Sequence, residues 1–321
     1  MNWGIISTAD INRKLIPGAK ASPKVDLVGV ASRTQERADE YAAKWEIPRA
    51  YGSYEALLAD PEVEAVYISL PNTMHTEWSI KSVEAGKHVL CEKPFSRTPA
   101  DVDAAWDAAD FAGRLLSEAF MYRHNPQTKR VRALIDEGAI GEVRLIRSTF
   151  SYSLYDQDNI RLRTDVEGGA LMDVGCYCIS GSRLAAGAEP VSVFGAAWYG
   201  PSGTDWVFTG SMRFPGDVLA IFDCGTALPE RDELEVIGSE GSLFLDDPFH
   251  STVPVIEVRR GDGVERIELE YEDSYRLELE NVTDAANGDA ELLLGRDDAM
   301  GQARAIEALH RSAQSGQPVS L

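Results

Sequence analysis

The chain has 321 residues, of which 44% are hydrophobic and 26% are charged, so it is long enough for two globular domains. Its formal net charge of −21 argues against nucleic acid or an anionic membrane surface as a partner. No apolar run approaches the ~20 residues that a membrane span needs, and the first residues lead directly into a strand without a visible signal peptide. We therefore expect a cytoplasmic protein. Neither the four cysteines nor the histidines cluster, so no metal site is expected.

Short apolar strands and helices alternate through the first part of the chain. Strands are predicted at residues 3–6, 25–31, 63–70, 88–91 and 115–119. Helices are predicted from residue 11 onward and at residues 35–45, 54–59, 77–85 and 99–112. This rhythm is typical of a doubly wound parallel sheet, which we predict for a domain at residues 1–122.

The turn after the first strand carries a weakened form of the dinucleotide-binding fingerprint. Its pattern is Gly4-x-x-Ser7-x-Ala9, with small residues where glycine is usual. Small residues still let the backbone approach a pyrophosphate at a helix N-terminus. The turn therefore favours a dinucleotide site, although an ordinary strand–turn–helix could have the same residues.

The second predicted strand ends at Ser32 and Arg33, where the choice of cofactor would be made. In a dinucleotide-binding domain, an Asp or Glu about 20 residues after the turn usually binds the NAD ribose. A hydroxyl and a guanidinium suit a 2′-phosphate instead, because arginine binds phosphate oxygens in a bidentate manner. The pair therefore favours NADP. The alternative is a pair of solvated residues that begin the next helix.

A charged pair and a proline, Glu92-Lys93-Pro94, follow the buried strand at residues 88–91. Open α/β sheets bind ligands beyond the carboxyl ends of their strands, so a lysine held there by a rigid segment indicates chemistry. Pro94 cannot donate a ladder hydrogen bond and should end the strand. A solvated salt bridge at the strand end is the alternative.

The pattern changes after about residue 123. A predicted helix at residues 127–137 is followed by strands at residues 143–155, 191–199, 206–214, 218–223, 233–238, 242–245, 255–259 and 266–269. Short connections such as Pro215-Gly216-Asp217 are typical of hairpins. We predict that residues 123–321 form an α+β domain with a large, mostly antiparallel open sheet.

One predicted helix of this second half carries reactive side chains. Gly168 and Gly169 precede it, and Asp173 and Tyr177 lie four residues apart, so they share one face. Asp173 is close to the helix N-terminus, where a negative charge is stabilised. The alternative is an acid that caps a helix and a tyrosine that belongs to the core.

These motifs occur together in one known family. The sequence resembles the glucose-fructose oxidoreductase / inositol dehydrogenase family, Gfo/Idh/MocA, over nearly the whole chain. The resemblance is carried by GIISTADI at residues 4–11, PNTMH at 71–75, EKP at 92–94, EAFMYR at 118–123 and GALMDVGCY at 169–177. Tyr177, where other members have histidine, is similar to the branch with dimeric dihydrodiol dehydrogenase and NADP-dependent D-xylose dehydrogenase. Ser7 and Ala9 depart from the family's glycine-rich fingerprint.

The resemblance implies roles for a larger set of residues. The catalytic residues would be Lys93, Tyr177 as the acid/base, and Asp173 as their neighbour. The cofactor would be bound by Gly4, Ser7, Thr8, Ala9, Asp10, Ile11, Ser32, Arg33, Arg37, Leu70, Pro71, Asn72, His75, Glu92 and Lys93. The substrate would contact Lys93, Tyr155, Arg161, Asp173 and Tyr177, although Arg161 could equally be a surface arginine. The family's Lys-Pro peptide is often cis, so we expect a cis Lys93–Pro94 bond.

The chemistry that the resemblance implies is hydride transfer from a sugar C–OH group to NADP, with NAD also possible. A nearby ammonium can lower the pKa of a tyrosine from its usual ≈10 into a useful range. We expect oxidation of the anomeric carbon of an aldose, such as D-xylose or D-glucose, to a lactone. The alternatives are a trans-dihydrodiol or a keto- or anhydro-sugar as substrate, an NAD-assisted glycosidase or lyase, and a non-catalytic NADP-binding regulator. In this family the open sheet also builds subunit interfaces, so we expect a homodimer or homotetramer.

Overall fold

Short apolar strands that alternate with helices form one sheet, and longer strands joined by short connections form a second sheet. The structure is a computed structural model that describes residues 1–154, 156 and 158–321. It divides into two compact units, one made of residues 1–124 and 273–300, the other of residues 125–272 and 301–321. Within the described residues, no helix is both long enough and apolar enough to cross a membrane.

The strands and helices are numbered here in chain order. The strands are β1 (Asn2–Ile6), β2 (Asp26–Ala31), β3 (Arg49–Tyr51), β4 (Ala65–Ile68), β5 (His88–Glu92), β6 (Leu116–Ala119), β7 (Val143–Ser153), β8 (Ser192–Tyr199), β9 (Asp205–Arg213), β10 (Leu219–Gly225), β11 (Ala227–Gly238), β12 (Ser242–Asp246), β13 (Val255–Arg260), β14 (Gly263–Glu268) and β15 (Val319–Ser320). The helices are α1 (Asn12–Ala21), α2 (Gln35–Trp45), α3 (Tyr54–Leu58), α4 (His75–Glu84), α5 (Pro99–Ala112), α6 (Pro126–Asp136), α7 (Cys176–Ala186), α8 (Ser274–Asn287) and α9 (Arg296–Ser315). A π-helical turn, Leu171–Gly175, leads directly into α7.

The first unit contains the doubly wound sheet that the sequence predicted. Its strand order is β3-β2-β1-β4-β5-β6, and the neighbouring strands pair in parallel. The strand order reverses between β1 and β4, and ligands of open α/β sheets bind beyond the carboxyl ends of the strands at such a point. The predicted fold class is therefore confirmed. Most of the candidate cofactor residues lie on the segments that follow these strands, while Gly4 and Glu92 lie within β1 and β5, Arg37 within α2 and His75 at the start of α4.

A segment far along the chain completes the core of this unit. Leu279 and Val282 of α8 pack in one buried cluster with Trp3 and Leu15. The indole Nε1 of Trp3 also donates a hydrogen bond to Thr283 Oγ1 at 3.1 Å. The predicted division at residues 122 and 123 stays a prediction, and it differs from the compact units because α8 joins the first of them through these apolar contacts.

The second unit contains the predicted open sheet. In the described chain its strand order is β14-β13-β12-β11-β7-β10-β9-β8-β15, and the pairs are antiparallel except for β7 with β10. Helix α7 covers one face, where Ile146 is buried and Ser148 Oγ donates to the carbonyl oxygen of Cys178 at 3.5 Å. Side chains of β7 alternate between the two faces, so every second residue points toward α7.

The other face of this sheet carries partly exposed apolar groups. Strand register aligns Phe194, Ile221, Arg147, Glu235 and Phe244 across β8 to β12 in one row. In the described chain, the residues Phe194 and Ile221 are 41% and 45% exposed. An exposed apolar surface of this kind on a sheet is common where another chain binds.

Candidate active site

Ser7 connects the turn after β1 to the end of β4 through side-chain hydrogen bonds. Its φ of 120° is rare outside glycine, and such backbone conformations concentrate at ligand sites. The Ser7 hydroxyl lies 2.8 Å from Ser69 Oγ, just beyond β4, and accepts a hydrogen bond from the Ala9 N–H at 3.1 Å. Asn12 Nδ2 donates to the Ser7 carbonyl oxygen at 3.0 Å. The turn is therefore held rigidly at the carboxyl ends of β1 and β4, where a pyrophosphate would bind.

Gly4 has a packing role that the structure makes plain. A β-carbon at this position would lie 2.9 Å from the side chain of Leu57 in α3. The glycine therefore lets the helix approach β1 closely. A contact between Gly4 and a cofactor stays a prediction.

Two arginines follow the end of β2. Arg33 and Arg37 are exposed, and the positive charges of both oppose the rise in the pKa of Tyr54 that burial causes. They therefore lie around the same phenol. Thr34 fixes the start of α2 between them, because its side chain accepts a hydrogen bond from the Arg37 N–H. Two guanidinium groups at one place suit a phosphate monoester.

The end of β5 carries the Glu92-Lys93-Pro94 segment, and the predicted cis peptide between Lys93 and Pro94 is confirmed. Tyr67 of β4 donates its phenolic hydrogen to Glu92 Oε1, so the carboxylate is fixed to the neighbouring strand. The Lys93 N–H donates to Glu92 Oε2 at 3.3 Å. The position of Lys93 is thus set by the strand and by the residue before it.

His75 links the ends of two strands. It is fully buried, with Nε2 at 2.8 Å from the carbonyl oxygen of Leu70 and Nδ1 at 3.0 Å from that of Pro94. Burial lowers the pKa of His75, and the charge of Lys93 lowers it further. His75 therefore supports the loops that follow β4 and β5. Its direct contact with a cofactor stays a prediction.

These residues fit a nicotinamide dinucleotide. The strand order provides a crevice for a dinucleotide, in which the rigid small-residue turn at the end of β1 would hold a pyrophosphate and the arginine pair after β2 would hold the adenosine ribose. The remaining residues predicted to bind the cofactor also follow β1, β2, β4 or β5; they are Thr8, Asp10, Ile11, Ser32, Leu70, Pro71 and Asn72.

Asp205 organises the start of the segment that carries Asp173 and Tyr177. Its side chain is buried in β9, and Oδ2 accepts a hydrogen bond from the Leu171 N–H at 2.7 Å. A β-carbon on Gly169, where φ is 129°, would overlap Asp205 Oδ1. Burial raises the pKa of Asp205 to about 6, although backbone N–H donors oppose the shift. Asp205 was not predicted, because it lies far along the chain from the helix that it caps.

Asp173 lies in the π-helical turn and is held by two side chains. Tyr152 donates its phenolic hydrogen to Asp173 Oδ2 at 2.5 Å, and Arg161 Nε donates to Oδ1 at 3.0 Å. Burial raises the pKa of Tyr152 strongly, and the charge of Asp173 adds to the effect. π-Helical turns within α-helices are frequent at functional sites. The structure thus brings together two of the predicted residues, Asp173 and Arg161.

Tyr152 was missed by the sequence analysis, although a signal was present. It is two residues beyond Phe150 in β7, so the alternation of a strand places both on the face that α7 covers. Tyr155, which was predicted instead, lies outside the residues that the structure describes.

Tyr177 lies in the first turn of α7 among aromatic side chains. Its ring centroid is 5.3 Å from that of Phe150 and 5.5 Å from that of Phe249. The Phe249 N–H donates to Asp232 Oδ1 at 3.3 Å, and His250 Nδ1 lies 2.8 Å from Asp232 Oδ2. Tyr177, Asp173 and Arg161 thus belong to the second unit, and Lys93 belongs to the first.

The chain matches known protein families in sequence and known structures in fold. Residues 1–120 match the family described as "Oxidoreductase family, NAD-binding Rossmann fold", and residues 128–244 match the GFO/IDH/MocA C-terminal domain. The chain therefore belongs to the GFO/IDH/MocA family, and it is an NAD(P)-binding oxidoreductase. The family predicted from the sequence motifs is confirmed.

Three similar proteins have described activities or ligands. The chain is 36% identical to D-xylose 1-dehydrogenase (NADP(+)) 2 of Haloferax volcanii, with 100% of each chain covered. The crystal structure of an aldose-aldose oxidoreductase from Caulobacter crescentus in complex with glycerol has a TM-score of 0.93 at 26% identity, covering 100% of this chain and 99% of that one. A 3-ketoreductase from Actinomadura kijaniata in complex with NADP and TDP-benzene has a TM-score of 0.91 at 30% identity, covering 97% of each chain.

Proposed function

We propose that this protein is an NADP-dependent sugar dehydrogenase that oxidises the anomeric carbon of a free aldose, of the D-xylose or D-glucose type, to a lactone. The observation that carries the proposal is the full-length match to a D-xylose 1-dehydrogenase in a chain that contains Lys93, Asp173 and Tyr177. The similarity to an aldose-aldose oxidoreductase supports the same class of substrate.

The residues of this chain would move one proton in the reaction. As the C–H bond at the anomeric carbon breaks, the anomeric hydroxyl loses its proton to Tyr177 Oη. The nicotinamide, when bound, supplies the acceptor for the hydride. Lys93 keeps its sequence-based assignment as the residue whose positive charge would favour the ionised form of an acid/base tyrosine. Tyr177 is almost fully buried and packs against two phenylalanine rings, so its orientation is well defined. Acid–base help of this kind contributes ~10²–10⁴ in rate.

Asp173 is assigned a supporting part in this scheme. Its two oxygens accept hydrogen bonds from Tyr152 and Arg161, and a carboxylate can accept further bonds from a sugar hydroxyl. Arg161 is assigned to substrate binding because its guanidinium reaches the same carboxylate. Tyr155 keeps its sequence-based assignment to the substrate.

The preference for NADP rests on the arginine pair after β2. Arg33 and Arg37 would bind the 2′-phosphate, with the Ser32 hydroxyl beside them. The first turn, including Ser7 and Ala9, would bind the pyrophosphate through backbone N–H groups. The 3-ketoreductase from Actinomadura kijaniata, whose structure contains NADP, supports NADP as the cofactor.

A second candidate function is the reduction of a keto-sugar, and the similarity to that 3-ketoreductase favours it. A trans-dihydrodiol as the substrate and an NAD-assisted glycosidase or lyase reaction are further alternatives from the sequence. The proposed dehydrogenase would give net reduction of the cofactor with a free sugar, and these alternative reactions would not.

The test is a substrate screen with purified protein. Free aldoses, a trans-dihydrodiol and a 3-keto-sugar would be offered with NADP, NAD or the reduced cofactors, and the absorbance of the reduced nicotinamide would be followed. We expect NADPH to form with D-xylose or D-glucose, and a lactone to appear in equal amount. Turnover only in the reducing direction with the keto-sugar would replace the proposal by the second candidate. Bond cleavage without net NADPH would indicate the lyase reaction.

We also propose that the protein is a homodimer or homotetramer in which the open face of the second unit's sheet binds a second copy. Phe194 and Ile221 supply apolar surface, and Arg147 and Glu235 are cross-strand neighbours with opposite charges in the same row. A surface with both signs of charge and an apolar row can be complementary to itself, as a two-fold interface requires.

A further inference from the structure

The negative charge of Asp173 lies close to Tyr177 in the sequence of the helical segment, and the proposed reaction does not explain how this charge is tolerated. The carboxylate stands four residues before Tyr177 on one continuous helical segment, so a negative charge lies one turn from the proposed acid/base. A like charge at that distance disfavours ionisation of a tyrosine. A tyrosine that must accept a proton therefore needs this charge to be compensated.

Arg161 and Tyr152 each donate a hydrogen bond to the carboxylate of Asp173, at different oxygens. The Arg161 side chain is 42% exposed and that of Asp173 is 14% exposed, so the ion pair lies at the edge of the buried region. The second donor is the phenol of Tyr152, which carries no charge but fixes Oδ2 at 2.5 Å. Arg161 thus compensates the charge, and Tyr152 fixes the orientation.

The two tyrosines near Asp173 have different tasks. Burial and the carboxylate both raise the pKa of Tyr152, so this phenol keeps its hydrogen and remains a donor at any working pH. A phenol that donates to a carboxylate cannot at the same time accept a proton from a substrate. The role of base therefore falls to Tyr177, whose ring packs against carbon rings.

The local backbone holds Arg161 in place. Asn159 Oδ1 accepts a hydrogen bond from the Arg161 N–H at 3.1 Å, and the Gly169 N–H donates to the Arg161 carbonyl oxygen at 2.8 Å. A β-carbon at Gly168 would overlap that carbonyl oxygen. Gly168 is thus explained by the close approach of the Arg161 loop, and these contacts fix the backbone of Arg161 before any substrate arrives. Positioning of this kind is what a site on a loop needs in order to act reproducibly.

We propose that Arg161 and Tyr152 are positioning residues that hold Asp173 as a charge-compensated carboxylate, so that its charge does not oppose ionisation of Tyr177. The inference rests on the proposed role of Tyr177. In the second unit, the titratable groups on elements around this segment include Asp205 on β9, Cys224 on β10, and Asp232 and His250 beside the Phe249 ring.

The experiment compares four variants with the wild type: Arg161→Gln, Arg161→Lys, Tyr152→Phe and the double variant Arg161→Gln/Asp173→Asn. In Arg161→Gln, kcat should fall about tenfold near neutrality, and the acidic limb of the pH–rate profile should move to higher pH by about one unit, since one unit is tenfold in protonation. Arg161→Lys should restore most of the limb, because it keeps the charge. The double variant should also return the limb toward its wild-type position, because no negative charge is left to compensate. Tyr152→Phe should lower kcat and leave the limb nearly in place.

The matched control is Arg163→Gln, two residues along the chain, whose exposed guanidinium pairs with Asp165 rather than Asp173. It should leave both kcat and the limb unchanged. An unmoved limb in Arg161→Gln, or an equal shift in Arg163→Gln, would overturn the proposal. So would a double variant with the same shifted limb as Arg161→Gln, since Arg161 would then act through structure alone.

A second measurement needs no substrate. The ultraviolet absorbance of phenolate can be titrated in the protein without turnover, and the difference between each protein and its Tyr177→Phe counterpart isolates one tyrosine. The titration of Tyr177 should move to higher pH in Arg161→Gln and should not move in Arg163→Gln. If the shift appears but no sugar is oxidised, the electrostatic inference stands and the proposed function fails. If sugars are oxidised and the titration does not shift, the inference alone is contradicted.

Discussion

Asp205 Oδ2 accepts a hydrogen bond from the backbone N–H of Leu171 at 2.7 Å, and this contact caps the helical segment that carries Asp173 and Tyr177. The carboxyl is buried, and its pKa of about 6 in the folded protein lies above the ≈3.9 of an unfolded chain. The folded state therefore binds the proton more tightly than the unfolded state. Stability from this group is present below about pH 4 and is lost as the pH rises through 6.

We expect Asp205→Asn to keep an acceptor for Leu171 and to remove this pH dependence. The wild type should lose up to about 3 kcal/mol from this group between pH 4 and pH 7, and the variant should not. The measurement is Tm against pH, followed by circular dichroism. Asp205→Ala, which removes the acceptor, should lower Tm at every pH. Parallel curves for the wild type and Asp205→Asn would contradict the assignment.

Glu278 of α8 gives a second pH-dependent prediction. It is fully buried, and neither carboxyl oxygen has a hydrogen-bond partner among the described residues. Burial raises the pKa of Glu278 well above its usual value, and the charges of Glu92 and Asp273 raise it further. A raised folded pKa means that stability falls as the pH rises above the unfolded value of ≈4.3.

Glu278→Gln should therefore raise Tm by a few degrees at pH 8 and change it little at pH 4, since about 1 kcal/mol corresponds to ~2–4 °C in a domain of about 150–250 residues. Differential scanning calorimetry at the two pH values measures the effect. Glu291→Gln, at an exposed position, is the control and should leave Tm unchanged at both. A lower Tm for Glu278→Gln at pH 8 would show that the carboxylate is ionised and bonded in the folded protein.

The choice of cofactor can be tested at Arg33. Arg33→Ala should weaken NADP binding about tenfold or more, because a charge-assisted hydrogen bond contributes ~1.5–3 kcal/mol, and it should leave NAD binding nearly unchanged. Dissociation constants by isothermal titration calorimetry give both values. Lys44→Ala, in the last turn of the same helix α2, is the control. Equal losses for both cofactors would remove the 2′-phosphate from the role of Arg33.

The proton transfer can be tested at Tyr177 and Lys93. Tyr177→Phe removes only a hydroxyl, so the fold and NADP binding should survive while kcat falls by about 10²–10⁴. Lys93→Ala should lower kcat to a similar extent, and the double variant should be barely slower than either single one if the two act as a unit. Tyr199→Phe, at an exposed tyrosine, should be fully active. Full activity of Tyr177→Phe with NADP bound would mean that another group carries the proton.

Assembly can be tested on the open face of the second unit's sheet. We expect the wild type to be a dimer or tetramer at micromolar concentration by light scattering. Ile221→Asp should shift it toward the monomer, because it places a charge in the apolar row. Phe111→Asp changes an aromatic that is 95% exposed on α5 of the first unit, and it should not alter the mass. A monomeric wild type would contradict the proposal.

The sequence allowed the first sheet to be predicted in detail because its information is local. Each strand is a short apolar run, and the helix between two strands follows at a regular spacing. The predicted helix at residues 99–112 has the same bounds as α5. The sequence analysis predicted no helix in residues 273–300. That α8 belongs to the first core depends on contacts of Leu279 with residues near the N-terminus, and a local pattern does not show such contacts.

The site was predicted in part for the same reason. Asp173, Tyr177 and the Glu92-Lys93-Pro94 segment are motifs within a few residues, so the sequence shows them directly. Asp205 and Leu171 are 34 residues apart, and Tyr152 and Asp173 are 21 apart, so only the fold reveals their contacts. Tyr152 could have been found by extending the alternation of β7 from Phe150.

The return of α8 to the first unit affects how the chain folds during its synthesis. Trp3 and Leu15 leave the ribosome early, but their partners Leu279 and Val282 come near the end. At ~5–20 residues per second, the stretch from residue 124 to residue 300 takes on the order of 10–35 s to translate. Throughout that interval the nascent dinucleotide-binding unit exposes the apolar surface that α8 later covers. A ribosome-bound chaperone would bind this apolar surface. In a chain that stops at residue 272, the surface would remain exposed.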